Sequence, residues 1–157
     1  MTVRVFDTRS RKKRELVTLE DGKVGLYACG ITPYSSSHIG HARQAISFDI
    51  IVRWLRKRDF EVNYITNFTD VDDKIIAAAN EEGVDFLEIS NRYIGDYFES
   101  MDALNVIRAD AYPRVTETIP EIIEMVESLI EKGNAYLAED GVYFEIDTSP
   151  EKYGQLT

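Results

Sequence analysis

The sequence has one cysteine, Cys29, and two histidines. A single cysteine excludes an internal disulfide, and a closed zinc site cannot be completed from the Cys and His residues of this chain alone. Neither an internal repeat nor a low-complexity tract is present, which excludes solenoid and fibrous architectures. No run approaches the roughly 18 apolar residues of a membrane span, and the opening residues MTVRVFDTRSRKK have no apolar h-region. A cytoplasmic, reducing location without membrane partners is what these absences predict. An excess of basic charge is lacking too: the net charge of -10 argues against a basic footprint over the whole chain.

The positive charge that exists is concentrated. Residues 1–60 carry 12 of the 18 Lys and Arg and 6 of the 28 Asp and Glu (12 - 6 = +6), and the remainder carries 6 and 22 (6 - 22 = -16). An anionic ligand is therefore expected in the first part of the chain, where both histidines lie. The cluster Arg9, Arg11, Lys12 and Lys13 reads equally well as a solvated loop. At 157 residues, 44% hydrophobic and 29% charged, the chain is expected to be one soluble domain, 1–157, burying roughly 70% of its unfolded surface.

Hydrophobic patterning predicts an α/β protein. Residues 2–6 alternate like a strand and are expected to pair with 16–19 across the basic turn. Residues 24–29 are apolar without alternation, as in a strand buried on both faces of a parallel sheet. A helix over about 39–57 places Ala42, Ala45, Ile46, Asp49, Val52 and Leu55 on one face, and 61–66 reads as a second strand. Strand, helix and strand form a βαβ unit with two parallel strands. Thr69 or Asp70 is expected to cap a helix over about 71–82 that Gly83 ends. An amphipathic helix over about 85–104 presents Phe86, Ile89, Tyr93, Tyr97, Met101 and Leu104. A helix with Pro120 in its first turn runs to about 132, and 135–146 reads as a hairpin turning at Asp140 and Gly141.

The stretch 29–43, CGITPYSSSHIGHAR, joins the end of the first parallel strand to the start of the first long helix. Ligands of open α/β sheets bind beyond the C-terminal ends of such strands, and unpaired helix N-terminal N–H groups favour anions. His38 and His41 lie three apart, so their rings share a side of the helix beside Gly40, which leaves room for a ligand to approach the backbone. They suit hydrogen bonding to phosphate oxygens while charge develops at an α-phosphate. Helix capping plus a surface histidine is an equally weighted reading. Cys29 is either a small buried hydrophobe or a nucleophile or metal ligand. Thr69, at the next strand end, is expected to face the same cleft. Asp70, Asp72 and Asp73 either cap the following helix or, with Lys74, bracket a polar ligand or fix a neighbouring loop.

CGITPY followed by HIGHAR, with FDIIVRWL, NFTDVDDKI, PRVTETIPEIIEMVESLIEKGNAY and GVYFEI in order, resembles the cysteinyl-tRNA synthetases, class I aminoacyl-tRNA synthetases. The resemblance covers nearly the whole chain. It implies a Rossmann-like (HUP-type) nucleotide-binding fold, a parallel sheet flanked by helices, of which this is the N-terminal half with the start of the inserted connective region. It implies that ATP, with Mg, and cysteine form cysteinyl-adenylate, and that the cysteinyl group passes to tRNA(Cys). It further implies that His38 and His41 act catalytically on the ATP phosphates, that Gly30 and Gly40 also line the ATP site, and that Cys29, Gly30 and Thr69 line the amino-acid pocket. Cys29 would bind a zinc ion that the substrate thiolate also coordinates. A soft thiolate–metal contact separates cysteine from serine, which size alone does poorly.

The family's second half-fold, its KMSKS-type loop, its other zinc ligands and its helical anticodon-reading region are not in these residues. The resemblance therefore implies the N-terminal portion of such an enzyme, either a fragment or one piece of a split protein whose partner would be a complementary C-terminal chain. Two other readings share the CGITPY run or the half-site: the cysteine ligase of mycothiol biosynthesis, which needs no tRNA, and a non-catalytic binding or regulatory module.

Overall fold

The computed structural model describes residues 2–148 and 150–156. In chain order the elements are β1 (Arg4–Asp7), β2 (Lys12–Glu15), β3 (Lys23–Ile31), α1 (Ile39–Lys57), β4 (Glu61–Phe68), α2 (Asp73–Glu82), α3 (Phe86–Ala103), α4 (Ile119–Glu131), β5 (Ala135–Leu137) and β6 (Val142–Phe144). Short 3₁₀ turns occupy Val115–Glu117 and Ile146–Thr148. Among the described residues no helix is long and apolar enough to cross a membrane. The residues group into two compact units, one of 18–118 and one built from 1–17 with 119–157.

The 18–118 unit is the expected α/β core. β3 and β4 pair in parallel from Lys23 opposite Glu61 to Ile31 opposite Phe68, with a register shift between Ala28 and Ile31. On β4 every second residue, Val62, Tyr64, Thr66 and Phe68, is buried, the period that strand geometry dictates for one covered face. α1 buries Ala42, Ala45, Asp49, Val52 and Leu55; Ile46 of the expected stripe is instead 37% exposed. Val52 and Leu55, essentially removed from water, each contribute on the order of 1.5–3 kcal/mol.

A charged residue in that apolar face needs an explanation. Both carboxylate oxygens of Asp49 accept from Arg53 Nε at 2.9 Å, and one also accepts the Ile107 N–H at 2.9 Å. Arg53 in turn donates to the Asn105 carbonyl. Asp110 accepts the Tyr64 N–H at 2.7 Å and a bond from Arg56. These pairs lay the segment after α3 along β4, where Ala111 and Arg114 make parallel bridges to Ile65 and Phe68. Burying a carboxylate is tolerable because it is paired and hydrogen-bonded.

α2 and α3 pack through Ile75, Ala79 and Ile89. The N-cap of α2 is Asp72, whose side chain accepts the Lys74 N–H at 3.0 Å, rather than Thr69 or Asp70. Gly83, at φ 70°, ends that helix in the left-handed region that glycine enters without penalty. α3 matches the predicted helix closely, although Leu104 stands outside it and is 48% exposed.

In the other unit, β1 and β2 form an antiparallel hairpin in which Arg4 faces Glu15 and Asp7 faces Lys12. The expected partner, 16–19, is corrected: the paired strand is the basic segment itself. The Asp7 carboxylate accepts the N–H groups of Arg9 and Ser10 at 3.3 and 3.2 Å, which closes the turn four residues earlier than apolar patterning suggested. α4 has Pro120 in its first turn and is followed by Gly133 at φ 69°. β5 and β6 form the predicted hairpin, Ala135 opposite Phe144 and Leu137 opposite Val142.

Candidate functional site

All the candidate residues lie in the 18–118 unit, at the C-terminal ends of β3 and β4 and the start of α1. Gly30 sits at the register shift, and a Cβ there would fall 1.5 Å from the Asn67 carbonyl oxygen. Only glycine permits so close a backbone approach. The Gly30 N–H donates to Asn67 Oδ1 at 2.8 Å, Asn67 Nδ2 donates to Thr69 Oγ1 at 3.4 Å, and the Thr69 N–H donates to the Ile31 carbonyl at 3.0 Å. Asn67 thus joins two residues expected to share an amino-acid pocket.

Cys29 is exposed, and its carbonyl accepts from Gln44 Nε2 at 2.6 Å. A small crevice beside it is lined by Cys29, Gly30, Gln44, Phe48, Thr66 and Tyr97. Thr69 does not line this crevice; Thr66, buried on the strand below, does. The Tyr97 phenol is pushed up to about 12, chiefly by burial and further by Tyr112 and Tyr64, so it stays protonated and able to donate.

His38 and His41 come together more closely than spacing alone required. Their rings stack with centroids 3.8 Å apart and planes 19° from parallel. His38 is the N-cap of α1: its Nδ1 accepts the Gly40 N–H at 3.0 Å, while His41 Nδ1 accepts the His38 N–H at 3.4 Å, a reciprocal capping box. Each neutral ring therefore carries its proton on Nε2, and both Nε2–H groups are left for a ligand. The capping and phosphate-contact readings are thus compatible, since they use opposite nitrogens. Burial lowers the His41 pKa, and the neighbouring His38 charge adds to this. A Cβ on Gly40 would meet the His38 ring at 2.8 Å; the space beside Gly40 is filled by that imidazole.

The acidic cluster divides. Asp72 is a cap, Asp73 lies in the first turn of α2, and Asp70 is fully buried. Asp70 accepts the Thr116 N–H at 3.0 Å and its hydroxyl at 2.6 Å, with Arg114 at 4.0 Å. Of the alternatives weighed for Asp70, fixing a neighbouring loop describes it. Among the described residues no three His, Cys, Asp or Glu side chains are grouped to hold a metal, so Cys29 can supply one ligand and not a closed site. Gln44 and Asn67 were missed by sequence reasoning, because their partners lie 15 and 37 residues away.

A model described as the tRNA synthetases class I (C) catalytic domain matches residues 15–157. The chain belongs to this family. It is 49% identical over 159 residues to a cysteine-tRNA ligase of Thermodesulfovibrio yellowstonii, covering 99% of this chain and 32% of that one. It is 46% identical over 157 residues to the cytoplasmic cysteine-tRNA ligase 2 of Arabidopsis thaliana, covering 100% and 30%. The chain of this class I family member spans about a third of the length of the curated relatives it matches. A solved methionyl-tRNA synthetase of Mycobacterium tuberculosis, in complex with methionyl-adenylate, superimposes with a TM-score of 0.65 at 24% identity, over 73% of this chain and 23% of that one. That likeness establishes the Rossmann-like fold.

Proposed function

We propose that these residues form the ATP- and cysteine-binding portion of a cysteine-tRNA ligase, which makes cysteinyl-adenylate and transfers the cysteinyl group to tRNA(Cys). The observation that carries it is the stacked pair His38 and His41 at the start of α1, directly beyond the strand end that holds Cys29 and Gly30. Both Nδ1 atoms are committed to the helix cap, so the two Nε2–H donors lie side by side for the phosphates of ATP, which enters with magnesium. In this reading Gly30 and Gly40 also belong to the ATP site, and Gly30, Cys29 and Thr69 to the amino-acid pocket, Thr69 being tied to Gly30 through Asn67. Zinc would take the Cys29 thiolate as one ligand and find its others outside these residues.

A single catalytic domain spanning both compact units is part of this proposal, supported by a family model that runs across both. A cytoplasmic location and a complementary C-terminal chain belong to it as well. The test is cysteine-dependent ATP–pyrophosphate exchange by this chain with and without the C-terminal portion of a relative. Exchange that requires both pieces and stops on His38→Asn is the expected result. No cysteine-dependent exchange from the combined pieces would overturn the proposal, as would exchange driven equally by serine.

A further inference from the structure

We infer that Asp96, on α3, is a positioning residue that sets the His38–His41 turn by holding the backbone one residue before its cap, a role that presupposes the ATP-facing function proposed above. The Ser37 N–H donates to Asp96 Oδ2 at 2.8 Å, across 59 residues of sequence and in a half-buried setting. Ser37 immediately precedes His38, the N-cap whose conformation (φ -126°, ψ 174°) lets its ring turn back onto Gly40. A bond from a backbone N–H to a carboxylate is of the strong, charge-assisted kind. It is also directional, because it fixes where the chain enters the helix.

The surroundings support this role. Tyr97 and Met101, on the same helix as Asp96, pack against Ala42 and Ala45 in the first turns of α1. Asp96 therefore projects from a surface already seated on the helix that it helps to start. The Ser37 Oγ is buried without a hydrogen-bond partner, so this side chain contributes no hydrogen bond of its own to the turn, and the Asp96 contact bears on its backbone alone. What this bond supplies is position, so an acceptor oxygen of the same reach, as on asparagine, should hold the turn without the extra strength of a charged acceptor.

The experiment compares Asp96→Ala with Asp96→Asn in this chain. Two readouts are taken: the NOE between the His38 and His41 rings, and ATP affinity by titration. Asp96→Ala is expected to abolish the ring–ring NOE and weaken ATP binding about tenfold, the order for losing one hydrogen bond to a charged group. Asp96→Asn, which keeps an acceptor oxygen, should retain both. Should Asp96→Ala fail to melt cooperatively, Asp96→Ser, which keeps a small polar side chain too short to reach the Ser37 N–H, takes its place. An unchanged NOE in the folded Ala or Ser variant overturns the inference, as does an Asn variant that behaves like Ala. If the NOE responds as expected while this chain combined with the C-terminal portion of a relative shows no cysteine-dependent exchange, the positioning role stands and the proposed function fails.

Discussion

The two halves of the candidate site are built by different means. At the strand ends, Gly30 and Asn67 meet through main-chain atoms so close that no side chain can intervene. At the helix start, His38 and His41 are held by their own ring nitrogens and by each other. The first half is rigid because sterics forbid anything else, whereas the second is held by bonds that a proton or a ligand can compete for. Under the function proposed above, the rigid part would grip the amino acid and the part held by bonds would respond to a changing phosphate charge.

The sharpest way to break that contrast is Gly30→Ala. The added methyl meets main chain rather than a movable side chain, so the loss should be about 3 kcal/mol or more, read as a lowered midpoint in denaturant. A cost below about 1 kcal/mol would mean that the strand ends are as adaptable as the helix start. At the other half, His38→Ala should cost only about 1 kcal/mol, the usual value of a helix N-cap. His38→Asn should restore that stability without restoring ATP binding, because asparagine caps but lacks the outward Nε2–H. If asparagine restored both, the ring would be a cap and nothing more.

The smallest effect concerns protons. Burial, reinforced by His38, lowers the His41 pKa from 6.5, so the unfolded chain takes up the proton first. The stability tied to His41 is therefore present above pH 6.5 and is lost as pH falls from 6.5 through the folded midpoint. NMR titration of the two rings should place the His41 midpoint below 6.5, and ATP should move it upward. A midpoint at or above 6.5 without ATP would contradict the neutral stacked pair.

How much of this was legible in the sequence follows the range of the forces involved. α1 and β4 were readable because burial imposes a period on them, as the alternation from Val62 to Phe68 illustrates. β3 was readable as an apolar run, but the expected burial on both faces is corrected, since Val24 and Ala28 are buried while Tyr27 and Cys29 between and beyond them are exposed. The β2 strand was not, because Lys12–Glu15 is exposed at all four positions and carries no apolar signal. The Asp70 side chain looks like any capping aspartate until Thr116, 46 residues on, reaches it. Ile46 failed as a core prediction because the face of α1 that is covered ends short of it. For the site, the residue types CG and HIGH singled out a strand end and a helix start that the fold keeps in one unit, whereas the bonds of Gln44, Asn67 and Asp96 are made to partners that only the fold brings near.

The bond between Gly30 and Asn67 spans 37 residues, and the parallel pairing around it begins with Lys23 opposite Glu61. Parallel strands cannot zip from a tight turn; the chain must first surrender the entropy of closing that long loop, and only then does the pairing repay it. α2 with α3, neighbours in sequence, can assemble early. The strand ends that hold Cys29 cannot. Refolding should therefore recover helical signal before any ligand-binding capacity, with the strand-end half of the site appearing in the same kinetic phase as the β3–β4 sheet.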